Sequence, residues 1–172
     1  MTTDIRKSYR PVACLLFAAT LVALLSSPAL SAGYDNALKG VKSYNAVYEV
    51  TQENPKVANI VFWAVKNSYE VAEVKALGKA PGIAVVFHGP AVKMLSSDRA
   101  PFNEAEWAEV EKFQETLRQM KKDGVKLEVC LYAVEVMGVD KTRIMPEIDQ
   151  VGNGFVSVIG YQMQDYAVVR IP

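Results

Sequence analysis

The stretch Ile83–Phe87 (IAVVF), followed by His88, Gly89 and Pro90, decides the fold class of this 172-residue chain. Five consecutive apolar residues favour a strand that is covered on both faces of a sheet, as strands of parallel sheets are. Gly and Pro directly after such a run are typical of its end. The sequence therefore predicts a buried strand with a polar side chain, His88, at its carboxyl end.

Strand patterns recur on both sides of this stretch. Ala46–Val50 (AVYEV) alternates apolar and polar residues, and two later runs, Val125–Leu131 and Ala167–Ile171, are rich in apolar and β-branched residues. A further strand is predicted at Glu147–Val151. We therefore expect five strands.

Helical patterns separate the predicted strands. Asn54 and Pro55 form a typical helix start, and Asn103 with Glu106 resembles a capping box. The apolar face predicted for the first helix consists of Val57, Ile60, Val61, Ala64 and Val65, which Val71 and Val74 extend. The stripe predicted for the second consists of Trp107, Val110, Phe113, Leu117 and Met120. Shorter helices are predicted at 91–95, 133–137 and 155–163. Alternating strands and helices predict an α/β domain with a mostly parallel sheet and helices on both sides.

Composition excludes several classes of protein. The chain is 51% hydrophobic and 22% charged, with 19 basic and 19 acidic side chains. This balance excludes a strongly basic nucleic-acid binder and an acidic disordered tail. Two cysteines without a CxxC motif do not make a disulfide framework or a zinc site. The sequence contains no phosphate-binding loop and no nucleophile elbow. It predicts neither a metal nor an organic cofactor.

The N-terminus has the pattern of a secretory signal. Arg6, Lys7 and Arg10 precede the apolar run Val12–Leu25, and small or turn-forming residues follow up to Ala32. We predict a signal peptide at residues 1–32, a leader at 33–44 and the α/β domain at 45–172, in a periplasmic or secreted protein. The alternative is an uncleaved N-terminal membrane anchor. Cleavage would remove Cys14 and leave Cys130 as the one cysteine.

Two chemically capable residues come at the carboxyl ends of predicted strands. His88 follows the second strand and Cys130 ends the third, where ligands bind in open α/β sheets. Consecutive strands are often neighbours, so the two side chains are expected within reach of each other. A helix directly after Cys130 favours its thiolate, and His88 can move a proton. The alternatives remain that Cys130 is an inert core residue and that His88 bonds only to a turn.

Three segments carry a resemblance to the DsrE/DsrF-like family of sulfur-relay proteins. They are Val85–Leu95 (VVFHGPAVKML), Gly124–Cys130 (GVKLEVC) and Gly160–Val169 (GYQMQDYAVV). The resemblance implies a three-layer α/β/α sandwich with about five parallel strands, a small oligomer, and a cysteine, here Cys130, that carries sulfur as a persulfide. His88 matches a position frequent in an exported subgroup. Met137-Gly138 departs from the Arg-Gly often found there.

Two functions follow as hypotheses. The first is a periplasmic sulfur carrier or transferase that exchanges a persulfide on Cys130 with donor and acceptor proteins or small thiols. The second is a non-enzymatic module, for binding a small ligand or for oligomeric assembly, on the same fold. Under both hypotheses we expect a homo-oligomer that binds no nucleic acid and is not attached to a membrane after signal cleavage. Whether the protein is an enzyme stays open.

Overall fold

The computed structural model describes residues 33–172, and the predicted signal peptide lies outside the described residues. Backbone contacts divide the chain into residues 1–39 and a compact unit of residues 40–172. In the first unit, the Leu38 N–H donates a 2.8 Å hydrogen bond to the Tyr34 carbonyl within a turn. No helix among residues 33–172 combines the length and the apolar character needed to cross a membrane.

The second unit contains one five-stranded sheet. Its strands are β1 (Asn45–Val50), β2 (Gly82–Phe87), β3 (Lys126–Cys130), β4 (Asp149–Val151) and β5 (Ala167–Ile171). All neighbouring strands are parallel, in the order β4-β3-β2-β1-β5. The prediction of a parallel α/β sheet is confirmed.

Five α-helices accompany the sheet. They are α1 (Pro55–Glu70), α2 (Ala72–Lys75), α3 (Glu104–Lys122), α4 (Leu131–Val136) and α5 (Gly154–Gln162). Two 3-10 helices, Gly89–Leu95 and Lys141–Arg143, lie in the connections. The predicted short helix after Cys130 begins two residues earlier than expected, so that it follows β3 directly.

The start and the buried stripe of α3 agree with the prediction. The Asn103 side chain accepts from the Glu106 N–H, and the Glu106 carboxylate accepts from the Asn103 N–H, both at 2.9 Å. This is a complete capping box. All five residues of the predicted stripe are buried. Local capping and helical periodicity therefore account for this helix.

The buried face of α1 shares only Val65 with the predicted one. The structure buries Pro55, Ala58, Phe62, Val65 and Tyr69. Val57 is exposed, as is Ile60, whose exposed fraction is 64%. The Phe62 ring packs edge-on against Phe113, with centroids 4.8 Å apart. Burying this aromatic ring stabilises the fold more than burying Val57 would, so Phe62 determines which side of α1 faces the sheet. The helix also ends at Glu70, so Val71 does not extend it.

The two faces of the sheet carry cores of very different size. The large cluster contains residues of α1 and α3 packed on one face of the sheet. The small cluster, on the other face, consists of Val47, Ala84, Val86, Val158 and Tyr161. Side chains alternate along a strand, so His88, which follows Ala84 and Val86 at two-residue spacing, continues the face covered by α5. This placement directs His88 to the start of α5.

Candidate functional site: the His88–Cys130 cavity

The sheet register brings His88 and Cys130 together. Phe87 of β2 pairs with Val129 of β3, so one further step along both strands places His88 beside Cys130. The His88 N–H donates a 2.8 Å hydrogen bond to the Val50 carbonyl, which holds this residue in line with β2. The two residues predicted from separate strand ends therefore occupy one location.

Gly154, the first residue of α5, lies between these two side chains. A Cβ atom at Gly154 would lie 2.4 Å from His88 Cε1 and 3.0 Å from Cys130 Cβ. Since both distances start from one point, His88 Cε1 and Cys130 Cβ are within about 5.4 Å of each other. A contact of 2.4 Å is shorter than carbon atoms tolerate, so glycine is required here for the present packing.

The residues beside Gly154 fix the start of α5 at the site. The Asn153 side chain accepts a 2.9 Å hydrogen bond from the Phe155 N–H and caps the helix. The Phe155 ring lies against the His88 ring, with centroids 5.1 Å apart and an interplanar angle of 26°. The cap and this stacking hold the imidazole between α5 and the sheet.

Cys130 is the last residue of β3 and immediately precedes α4. Its exposed fraction is 3%, and it pairs with Val151 of β4. The Tyr132 N–H donates a 3.3 Å hydrogen bond to the Gly152 carbonyl, which ties the first turn of α4 to the loop before α5. The thiol is thus buried, so a reactant must enter the site to reach it.

The imidazole of His88 is buried and incompletely bonded. Its exposed fraction is 6%, and Nε2 has no hydrogen-bond partner among the described residues. Burial lowers the pKa of His88 below its usual 6.5, and the negative charge of Glu49 opposes this shift in part. His88 is therefore neutral at neutral pH and retains an unused position for a proton or a hydrogen bond.

A cavity of about 300 Å³ opens over both residues. Its lining consists of His88, Gly89, Cys130, Tyr132, Ala133, Val136, Met137, Asn153 and Phe155. The wall among the described residues contains no Asp, Glu, Lys or Arg side chain. Its volume is at the lower end of the range of small-molecule sites.

A match to a protein-family model includes the residues of this site. The model of the DsrE/DsrF-like family matches residues 63–171, which include His88, Cys130 and Gly154. The chain belongs to the DsrE/DsrF-like family. A solved structure, a protein of unknown function from Methanobacterium thermoautotrophicum, is 18% identical with a TM-score of 0.57. The match covers 74% of this chain and 99% of that one, and it shows a shared fold. No curated protein matches the sequence.

Sequence reasoning missed the wall of this DsrE/DsrF-like site. The contact of Gly154 with His88 is not visible in sequence, because it joins residues far apart along the chain. Tyr132 and Phe155 were not singled out. The available sequence signal was the apolar composition of residues 154–162, since an apolar helix indicates contacts on more than one side.

A polar cluster in this DsrE/DsrF-like domain flanks the same face of the sheet. The Tyr161 hydroxyl donates a 2.6 Å hydrogen bond to Glu128 Oε1, while Glu128 Oε2 has no partner among the described residues. Burial, and then this hydrogen bond, raise the pKa of Tyr161. The Lys126 ammonium lies over the rings of Tyr161 and Tyr166. This cluster fastens α5 to β3 below Cys130.

No group of three or more His, Cys, Asp or Glu residues in the part of the chain from 33 to 172 is placed to hold a metal ion.

Proposed function

We propose that this protein is a periplasmic sulfur carrier that holds sulfur as a persulfide on Cys130. The observation that carries the proposal is the cavity that Cys130 and His88 both line, with the imidazole left without a hydrogen-bond partner at Nε2 among the described residues. A nucleophile beside a neutral base, at the carboxyl edge of a parallel sheet, is a typical arrangement for group transfer. Family membership supports the same chemistry.

The reaction consists of two sulfur exchanges. The His88 imidazole takes the proton of the Cys130 thiol, and the thiolate attacks the outer sulfur of a hydropersulfide, R–S–S–H. A new S–S bond forms on Cys130, the S–S bond of the donor breaks, and R–S⁻ leaves and takes up the proton. In the second exchange an acceptor thiolate attacks the outer sulfur and releases the Cys130 thiolate. Each exchange conserves electrons, so no further oxidant or reductant takes part.

The proposed location rests on the N-terminal sequence. Arg6, Lys7 and Arg10 before an apolar run support export with cleavage near residue 32. Export would leave Cys130 without a second cysteine in the same chain, so a partner thiol must come from another molecule. Amino-terminal sequencing of the protein from cell fractions tests this: a start near residue 33 supports export, and an intact N-terminus contradicts it.

Intact-protein mass spectrometry tests the carrier function. The protein is exposed separately to benzyl hydropersulfide and to glutathione hydropersulfide, the excess is removed, and the mass is measured. We expect one added sulfur atom on the wild type with at least one donor, removed again by a thiol reductant. Cys130→Ser, which keeps the size of the side chain, should gain none. A folded wild type without an adduct from either donor would contradict the function.

The second candidate, an assembly module, is favoured by one specific observation. The outer side of α5 carries an apolar stripe of Val156, Ile159 and Met163, all exposed. Charged residues are depleted and apolar ones enriched where identical subunits meet. We propose that a second copy of the chain covers this stripe, which is compatible with either function and is tested by the assembly state described below.

A further inference from the structure

The side chains that line the cavity around His88 and Cys130 are mainly apolar. Tyr132, Val136, Met137 and Phe155 contribute rings, methyl groups and a thioether. Cavities built in this way bind the apolar body of a ligand and leave orientation to a few polar groups. The shape and chemistry of the wall therefore restrict what can carry sulfur to Cys130.

The electrostatics of the cavity act in the same direction. The charge that acts on the His88 ring is the negative carboxylate of Glu49. No Lys or Arg among the described residues lines the cavity, so an anion that entered would lose water without gaining a counter-charge. Unpaired ions are costly to transfer to an apolar site. Anionic sulfur compounds are thus disfavoured on two grounds.

Few polar side chains line the cavity: they are those of His88, Asn153 and Tyr132. His88 is 6% exposed under the packing of Gly154 and Phe155, and its Nε2 has no hydrogen-bond partner among the described residues. A neutral imidazole can give or take a hydrogen bond. A thiol, or a hydropersulfide in its protonated form, at the end of an apolar molecule can bond to the imidazole without bringing a charge into the cavity.

We infer that the Cys130 cavity takes small uncharged organosulfur compounds with an apolar aliphatic or aromatic body and discriminates against anionic ones. This inference rests on the proposed carrier function for its sulfur chemistry. Phe155 and Tyr132 contact the body of the ligand, and the His88 imidazole bonds to its sulfur-bearing end.

Two matched reagents test the discrimination independently of persulfide chemistry. Benzyl methanethiosulfonate is uncharged, and sulfonatoethyl methanethiosulfonate is an anion. With both, the Cys130 thiolate attacks the thiol sulfur, forms a mixed disulfide and releases methanesulfinate. The rate on the folded protein is divided by the rate on the urea-unfolded protein for each reagent. We expect this ratio to be roughly tenfold or more higher for the benzyl reagent. Equal ratios, or a higher ratio for the anion, would overturn the inference.

A charge placed in the wall provides the control. Val136→Lys puts a cation at the cavity, whereas Ile60→Lys puts the same cation on α1, outside the cavity lining; Val136 is 59% exposed and Ile60 is 64% exposed. We expect Val136→Lys to reduce or reverse the preference for the benzyl reagent and Ile60→Lys to retain it. The same effect in both variants would overturn the assignment of selectivity to the cavity wall.

The outcome separates this inference from the carrier function. If benzyl methanethiosulfonate is preferred but neither hydropersulfide adds sulfur, the carrier function fails and the ligand class stands. If glutathione hydropersulfide loads Cys130 as fast as benzyl hydropersulfide, the carrier function stands and the inferred ligand class fails.

Discussion

Gly154 and His88 are in such close contact that no side chain fits between them: a Cβ atom at residue 154 would lie 2.4 Å from His88 Cε1. The same atom would lie 3.0 Å from Cys130 Cβ. The start of α5 is thus the third component of the site, and it determines where the imidazole lies relative to the thiol.

Gly154→Ala should move the His88 ring and slow the reaction of Cys130 with benzyl methanethiosulfonate. We also expect it to destabilise the fold by about 1–3 kcal/mol, because an added methyl group overpacks a well-filled site. Gly160→Ala in the same helix is the matched control, since nothing lies within 4 Å of its added Cβ. Removing a helical glycine there should stabilise the fold by up to about 1 kcal/mol. Urea unfolding measures the free energy of unfolding of both variants. A Gly154→Ala variant as stable as the wild type would contradict the proposed contact.

The His88 ring should titrate below the usual imidazole range. Burial lowers its pKa, and the chain has one histidine, so its NMR signals are unambiguous in protein without a histidine tag. The pKa in the folded protein is expected below 6.5, and that in urea near about 6.5. A folded value above the unfolded one would mean that the ring is not buried as described.

The same shift makes the free energy of unfolding depend on pH. The unfolded chain binds the His88 proton more tightly than the folded protein, so the stabilisation is complete above about pH 7 and is lost as the pH falls below about 6.5. The slope is at most about 1.4 kcal/mol per pH unit for one proton. His88→Gln cannot titrate and should show a smaller slope between about pH 7 and pH 5 in urea-unfolding experiments. Identical slopes would exclude His88 as the source.

Tyr161→Phe should destabilise the protein by about 1–3 kcal/mol, since it leaves both oxygens of the Glu128 carboxylate unbonded in a half-buried site. Tyr166→Phe is the control: its hydroxyl accepts a weaker 3.3 Å hydrogen bond from Lys126. The loss there should be below about 1 kcal/mol. Thermal unfolding measures the loss of stability in both variants. Equal losses would show that the hydrogen bond from Tyr161 to Glu128 stabilises the protein no more than the one from Lys126 to Tyr166.

Ile159→Glu should reduce the assembly to smaller species in analytical ultracentrifugation, since it puts a charge in the apolar stripe of α5. Ile60→Glu on α1 is the matched control, because Ile60 is 64% exposed and Ile159 is 56% exposed. We expect Ile60→Glu to leave the assembly unchanged. A monomeric wild type, or dissociation by Ile60→Glu alone, would place the interface elsewhere or remove it.

The fold could be predicted from the sequence to a large extent, because its signals are local. The apolar run at 83–87, the capping box at Asn103 and the stripe on α3 each reflect interactions within one element. The buried face of α1 was mispredicted because it depends on Phe62 fitting against Phe87 and Phe113, which come from distant parts of the chain. Helical periodicity predicts one apolar face there, and packing against these two rings turns another side of α1 toward the sheet.

The site could be predicted only in part for the same reason. His88 and Cys130 stand at strand ends, which sequence patterns reveal, and their proximity follows from strand order. The contributions of Gly154 and Phe155 depend on where α5 returns to the sheet. The burial and missing hydrogen bond of His88 Nε2 are likewise properties of the packing.

The most direct test of the account follows one sulfur atom from the protein to an acceptor. Wild-type protein is loaded with benzyl hydropersulfide, freed of donor and mixed with an equimolar small thiol, and both masses are followed over time. The account predicts that the protein loses one sulfur atom as the thiol gains one, and that Cys130→Ser neither carries nor transfers sulfur. A loaded protein that keeps its sulfur, or transfer at the same rate without Cys130, would contradict it.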